Sequence, residues 1–248
     1  MKKIYIFLLL GLFLSVRVIA ADLTVSAAAS LSHAFKEVAT IFESQNPSIK
    51  VQLNFAASGV LLQQIVKGAP VDVFASADQV TMDQAQEQAL INPMDRKNFT
   101  SNTLVVIVPK KAKSLPLDLN DLTKDKYQKI AIGLPGSVPV GRYTKAVLET
   151  KKIWSLIEPK MIGSQNVRQA LDYVARGEVD AGFVYSTDAA MMSDKVSIAF
   201  VVPTGAPIFY PIAPVASSQN YTMAKKFVTL VNSPQGQNIL SKYGFSKP

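Results

Sequence analysis

The stretch Val25-Ser26-Ala27-Ala28-Ala29-Ser30-Leu31 decides how this chain folds. Residues 23–26 form a β-type run that passes through three small residues into a Ser. Apolar positions then follow at 31, 34, 35, 38, 39, 41 and 42, the spacing of an amphipathic helix. Ser30 is therefore a helix N-cap candidate. A cap hydroxyl and the unpaired amides of a first helical turn make a cluster of donors, which the helix dipole biases toward negative charge. The three alanines let a ligand come close to the backbone. Because Ser is a preferred cap in any helix, the rest of the chain must decide between a simple cap and a binding site.

Working outward, the pattern recurs. Residues 50–55 alternate polar and apolar as a strand, and Ala56-Ala57-Ser58-Gly59 again sets a Ser before a helical run, closed by Lys67-Gly68-Ala69-Pro70. Residues 71–76 make a third strand. Asp78 reads as the cap of the next helix and Asp72 as the tie of a turn. The β-branched run 103–109 has the composition of a strand covered on both faces. A short capped helix at 118–122 follows, then a strand at 130–133 and a turn-rich loop at 135–141 leading into a helix at 142–150. Next come a strand at 160–162, a helix from Val167, and a strand at 180–185 that ends on Tyr185. Strands at 196–202 and 209–215 and helices at 223–231 and from 235 complete the chain.

This alternation predicts an α/β protein with mostly parallel sheets. Ligands of such sheets bind where strands end and helices begin. Ser30, Ser58, the loop at Val140, Val167 and Tyr185 all fall at such points, and their convergence favours a site over capping alone.

The N-terminus predicts export. Lys2 and Lys3 precede an apolar run at 4–16, and Val18-Ile19-Ala20 forms a small-residue cleavage site, with cutting after Ala20 or Ala21. The run is shorter than the ~20 residues of a membrane span. Without residues 1–20 the 26 basic residues fall to 23 against 18 acidic ones, a net charge of +5. The lysines are scattered without aromatic interleaving, which argues against a nucleic-acid groove. The chain contains no cysteine, so it has no disulfide, no thiol chemistry and no lipid-bearing cysteine anchor. A freely soluble protein of a two-membrane bacterium's periplasm is the expectation.

An ordered set of segments resembles the periplasmic molybdate-binding proteins of bacterial molybdate ABC importers. The segments are Ala27-Ala28-Ala29-Ser30-Leu31, Phe55-Ala56-Ala57-Ser58, Gly68-Ala69-Pro70-Val71-Asp72-Val73-Phe74, Ser76-Ala77-Asp78, Val138-Pro139-Val140-Gly141, Asn166-Val167-Arg168, Phe183-Val184-Tyr185 and Lys242-Tyr243-Gly244-Phe245. The resemblance implies a two-lobed type II periplasmic binding protein fold with two crossover strands. Lobe I would take residues 21–104 and 210–248, and lobe II residues 105–209, with the strands at Val105 and Tyr210 as hinge candidates. It implies capture of molybdate, and of tungstate, by Ser30, Ser58, Val140, Val167 and Tyr185. Molybdenum is thus held as its oxyanion rather than as a cofactor. An ABC permease and its ATPase would be the partners of a monomeric binding protein. One departure is that Ser58 is flanked by Ala57 and Gly59, where relatives often carry further serines.

The proposed site offers donors and no charged side chain. A fully deprotonated dianion needs no acceptor, whereas hydrogen phosphate carries a proton that does, so phosphate is expected to bind poorly. Sulfate differs from molybdate mainly in size. The rival from another class is an exported hydrolase with Ser30 or Ser58 as nucleophile and His33, the sole histidine, as base. No Gly-x-Ser-x-Gly elbow supports it. Sulfate, iron and amino acids remain alternative ligands of the same fold, though an amino-acid binder wants an Arg and an Asp in the cleft and an iron binder a Tyr pair, where Tyr185 stands alone at its strand end. Arg142 and Arg168 read instead as surface or interlobe contacts.

Overall fold

The computed structural model describes residues 21–248, and the leader expected at 1–20 lies outside the described residues. The first half runs β1 (Ala21–Ala28), α1 (Ser32–Gln45), β2 (Ile49–Ala56), α2 (Ser58–Val66), β3 (Val73–Ala75), α3 (Gln79–Glu87) and β4 (Lys97–Asn102). The chain continues through β5 (Leu104–Pro109), β6 (Ile130–Gly133), α4 (Pro139–Thr150), α5 (Trp154–Ile157), β7 (Met161–Ser164), α6 (Val167–Ala175), β8 (Ala181–Tyr185), α7 (Ser186–Met191) and β9 (Val196–Val201). It ends with β10 (Ile208–Pro214), α8 (Tyr221–Asn232) and α9 (Pro234–Lys242).

Two five-stranded sheets result, in the orders β2-β1-β3-β10-β4 and β7-β6-β8-β5-β9. Helices cover them, giving the two lobes of a type II periplasmic binding fold. The chain leaves the first sheet at Asn102, enters the second at Leu104, and returns to the first at Ile208.

The sheets are not mostly parallel, which corrects the sequence reading. In each, two pairings are parallel and two are antiparallel. The antiparallel half arises where the chain crosses between lobes: β5 and β10 enter opposite in direction to the βα repeats they join. A strand covered on both faces has the same composition whichever way it runs, and Leu104, Val105, Val106, Ile107 and Val108 are all at most 1% exposed. The sequence reading also passed over β4. Its segment Lys-Asn-Phe-Thr-Ser-Asn is an edge strand with only Phe99 and Thr100 buried, so it carries almost no apolar signal.

Both lobes are built around apolar residues from strands and facing helices. In the first, Phe35 and Phe42 of α1 meet Phe227 of α8, with ring centroids 6.0 and 5.3 Å apart. Phe99, Tyr185 and Phe245 surround the ring of Tyr210 at 6.5, 5.7 and 5.7 Å. Such pairs add roughly 0.5–1.5 kcal/mol each beyond their burial. Asp72 does more than tie a turn: it accepts from the Thr24 amide at 2.7 Å and the Ser218 hydroxyl at 2.6 Å, joining β1 to the approach to α8.

Candidate functional site

Parallel register brings the two serines together. Ala28 pairs with Ala56 at the carboxyl ends of β1 and β2, so Ser30 and Ser58 each sit two residues beyond adjacent strand ends. In the other lobe Gly133 pairs with Ser164 at the ends of β6 and β7, and each strand leads into a helix that opens near Val140 or Val167. Tyr185 ends β8, the other neighbour of β6.

These five residues line one small cavity, together with Ala29, Ala57 and Ala77 of the first lobe and Val138, Pro139 and Asn166 of the second. The centre of a water-sized sphere has only about 10 Å³ in which to move. That is the scale of a single water or a compact ion and not of an organic solute. No lining residue carries a charge.

Ser30 does not cap a helix, which removes the capping alternative. It lies inside a 3-10 turn, Ala29–Leu31, that precedes α1, and no side chain caps that turn. Its hydroxyl instead lies 3.0 Å from that of Tyr210. Ser58 is the first residue of α2, and its Oγ accepts from the Ala77 amide at 3.0 Å. Val140 stands at the second position of α4, because Pro139 starts the helix three residues earlier than the pattern indicated. Val167 is the first residue of α6, whose cap Asn166 accepts from the Gln169 amide at 3.1 Å. The first amides of a helix have no acceptor within it, so Ser58, Val140 and Val167 each bring one to the cavity wall. Helix dipoles add positive potential there.

The Tyr185 hydroxyl is buried and has no hydrogen-bond partner among the described residues. Burial pushes its pKa well above the ordinary tyrosine value, so it remains a neutral donor. An orphaned buried hydroxyl costs stability unless something meets it. It marks this cavity as a place for an acceptor.

Charges stand behind the wall rather than in it. Arg142 of α4 reaches across the cleft to Asp78 at 2.7 Å and to the Thr81 hydroxyl at 2.6 Å. Asp78 also caps α3 through the Thr81 amide, as its sequence context predicts. Arg168 of α6 donates to the carbonyls of Ala29 and Ser30 at 3.3 and 3.1 Å, again from the opposite lobe. Its Nε lies 3.1 Å from Asp188 Oδ1, within ion-pair range but off the hydrogen-bond line, since both Asp188 oxygens lack a partner of good geometry. Burial raises the Asp188 pKa to about 6, and Arg168 opposes that rise only in part. A third crossing is the Gly59 amide, which donates to the Ser137 carbonyl at 3.0 Å.

His33 contacts Ser32 at 3.3 Å, so neither Ser30 nor Ser58 has an imidazole base. Sequence reasoning missed Tyr210, Asn102, Asp188 and the Ala77 amide as members of this environment. Nothing in their local patterns marks them, for each arrives through long-range packing.

Comparison with known proteins places these observations. The family model described as bacterial extracellular solute-binding protein matches residues 23–246. A molybdate-binding protein of Escherichia coli is 36% identical over 231 residues, covering 90% of this chain and 88% of that one. One of Haemophilus influenzae is 33% identical over 232 residues, covering 91% and 90%. The solved periplasmic molybdate-binding protein of Azotobacter vinelandii superposes with a TM-score of 0.78, covering 91% of this chain and 99% of that one at 24% identity, a likeness of fold.

Proposed function

From the premise that this chain belongs to the bacterial extracellular solute-binding proteins, a family of binding proteins and not of enzymes, we propose that it captures molybdate, and also tungstate, for an ABC importer. Ser30 and Ser58 hold the oxyanion through hydroxyl and amide, Val140 and Val167 through amides, and Tyr185 through its hydroxyl. The protein works in the periplasm after loss of its leader at Ala20 or Ala21, as a monomer that delivers its ligand to a permease driven by an ATPase. Lobe I comprises residues 21–104 and 210–248, lobe II residues 105–209, and the ligand lies between them.

The observation that carries this reading is the unpartnered Tyr185 hydroxyl, buried in an uncharged cavity that both lobes line with donors. A tetrahedral dianion offers acceptors in every direction and carries no proton, so it meets each donor without stranding another. Charge-assisted hydrogen bonds contribute roughly 1.5–3 kcal/mol each, which favours full desolvation of the ion here. Identity of 33–36% to molybdate-binding proteins supports molybdate as the first anion to try.

Thermal unfolding of the mature protein with and without molybdate tests the proposal. Binding to the folded chain alone raises stability by about 2.7 kcal/mol at a hundredfold excess over Kd. The unfolding midpoint is expected to rise with molybdate concentration in the wild type and far less in Ser58→Ala. A midpoint indifferent to molybdate would overturn it.

A further inference from the structure

The ligand-facing protons of the two serines are not free to point either way. We propose that Asn102 and Tyr210, which do not line the cavity, are positioning residues that force the Ser30 hydroxyl to donate, so that the site selects its oxyanion by protonation state. The inference rests on the oxyanion reading above and extends it to residues outside the wall.

A backbone amide sets the polarity of this hydrogen-bond chain. Thr103 N–H donates to Asn102 Oδ1 at 2.9 Å, and the Ser186 hydroxyl donates to the same oxygen at 3.1 Å. A backbone amide can only donate, so that end of the Asn102 side chain must be its oxygen. The Nδ2 end then faces Thr187 Oγ1 at 2.9 Å and Tyr210 Oη at 3.3 Å. An amide nitrogen has no lone pair to offer, so Tyr210 accepts from it. The proton of the phenol has one remaining partner, Ser30 Oγ at 3.0 Å. Ser30 accepts there, and its own proton is left for the cavity.

The opposite polarity is costly. If Ser30 donated to Tyr210, the phenol proton would have no acceptor among the described residues, in a side chain that is 0% exposed. An unsatisfied buried donor is penalised strongly enough to decide the direction. Phe99, Tyr185 and Phe245 hold the ring in place around its edge, so the phenol cannot swing to water. Burial also keeps Tyr210 protonated, with its pKa well above the ordinary value.

Ser58 obeys the same logic by a shorter route. Its Oγ accepts from the Ala77 amide at 3.0 Å, which again leaves its proton for the cavity. Both serines thus turn their proton to the cavity, each with one of its two acceptor lone pairs already engaged. A protonated oxyanion entering this cage would set its own O–H against donors.

Sulfate and phosphate test this because they are nearly the same size and differ in one proton. At about pH 8 both are chiefly dianions, so charge cancels from their comparison. The experiment measures displacement of molybdate by sulfate and by phosphate from wild type, Tyr210→Phe and Asn102→Asp. Tyr210→Phe frees the second lone pair on Ser30 and lets its hydroxyl turn to accept from the anion. Asn102→Asp retains the bonds from Thr103 and Ser186 but replaces the donor facing Tyr210 with an acceptor, which reverses the chain.

The expected result is that the preference for sulfate over phosphate narrows by roughly tenfold in each variant that folds, the equivalent of one neutral hydrogen bond gained by the phosphate proton. If both anions weaken by the same factor and the ratio stays at its wild-type value, Tyr210 and Asn102 are merely structural and the inference fails. In that case molybdate binding by the wild type leaves the oxyanion reading standing. Wild-type protein that binds no molybdate would overturn that reading and this inference with it.

Discussion

At the residue scale, the Tyr185 hydroxyl sets function against stability. Tyr185→Phe removes a buried group that has no partner among the described residues. The ligand-free variant should therefore unfold at a higher temperature, by an amount equivalent to about 1 kcal/mol. Its molybdate affinity should fall by about 10- to 150-fold, the worth of one charge-assisted hydrogen bond. Scanning calorimetry and titration on the same samples check both, and a variant less stable yet fully competent to bind would refute the assignment. Asp188 gives a second residue-scale prediction. Its pKa of about 6 when folded, raised by burial from 3.8, means that the folded chain holds a proton which the unfolded chain has released between those values. Stability that depends on Asp188 is thus full below about pH 4 and declines as pH rises to about 6. Relative to wild type, Asp188→Asn should gain on the order of 3 kcal/mol between pH 4 and pH 7, read from denaturant unfolding at the two values. A difference that is independent of pH would show that Asp188 is ionised at ordinary carboxylate values.

At the scale of elements, helix starts and strand ends were largely legible, and side-chain partners were not. Ser58, Val167 and Tyr185 stand in the elements their patterns predict. Ser30 lies beyond β1 as its pattern indicates, but as part of a 3-10 turn and not as the cap of α1. A Ser before an apolar helical spacing looks the same whether its hydroxyl caps a helix or pairs with Tyr210, 180 positions away. Val140 was assigned to a loop because Pro139 resembles a turn signal as much as a first helical residue. Asn102 lies at the end of β4, the strand whose polar sequence hid it altogether. Glycine at 59 has a reason that only the assembled lobes reveal. A Cβ there would lie 2.7 Å from the Ser137 oxygen and 2.9 Å from the Ser137 Cα, both backbone atoms of the opposite lobe. Gly59→Ala should fold normally, since alanine favours a helix. It should nonetheless bind molybdate at least roughly tenfold more weakly by holding the lobes apart. Small-angle scattering with saturating ligand should find the variant more open than wild type, and equal curves would contradict this.

At the scale of the whole molecule, the two lobes meet through a donor cavity and a few polar crossings around it. The Arg142–Asp78 pair spans the cleft with Asp78 buried, so its loss would leave a carboxylate stranded behind the site. Arg142→Met should weaken molybdate by roughly tenfold, chiefly through faster release. Stopped-flow dissociation would test this, and an unchanged release rate would show that the pair does not help to hold the lobes together. The α/β alternation and the positions of Ser58, Val167 and Tyr185 are readable from sequence because helix starts and strand ends are local events. The antiparallel half of each sheet was not, because it depends on where the chain crosses between lobes. On the proposed function this cavity takes a fully deprotonated tetrahedral dianion of molybdate size. Titration calorimetry of the mature, ligand-stripped protein with molybdate, tungstate, sulfate and phosphate addresses it most directly. One molybdate or tungstate per chain, bound far more tightly than sulfate and with phosphate weakest, is the predicted result. Silence from all four anions, or phosphate binding as tightly as molybdate, would contradict it.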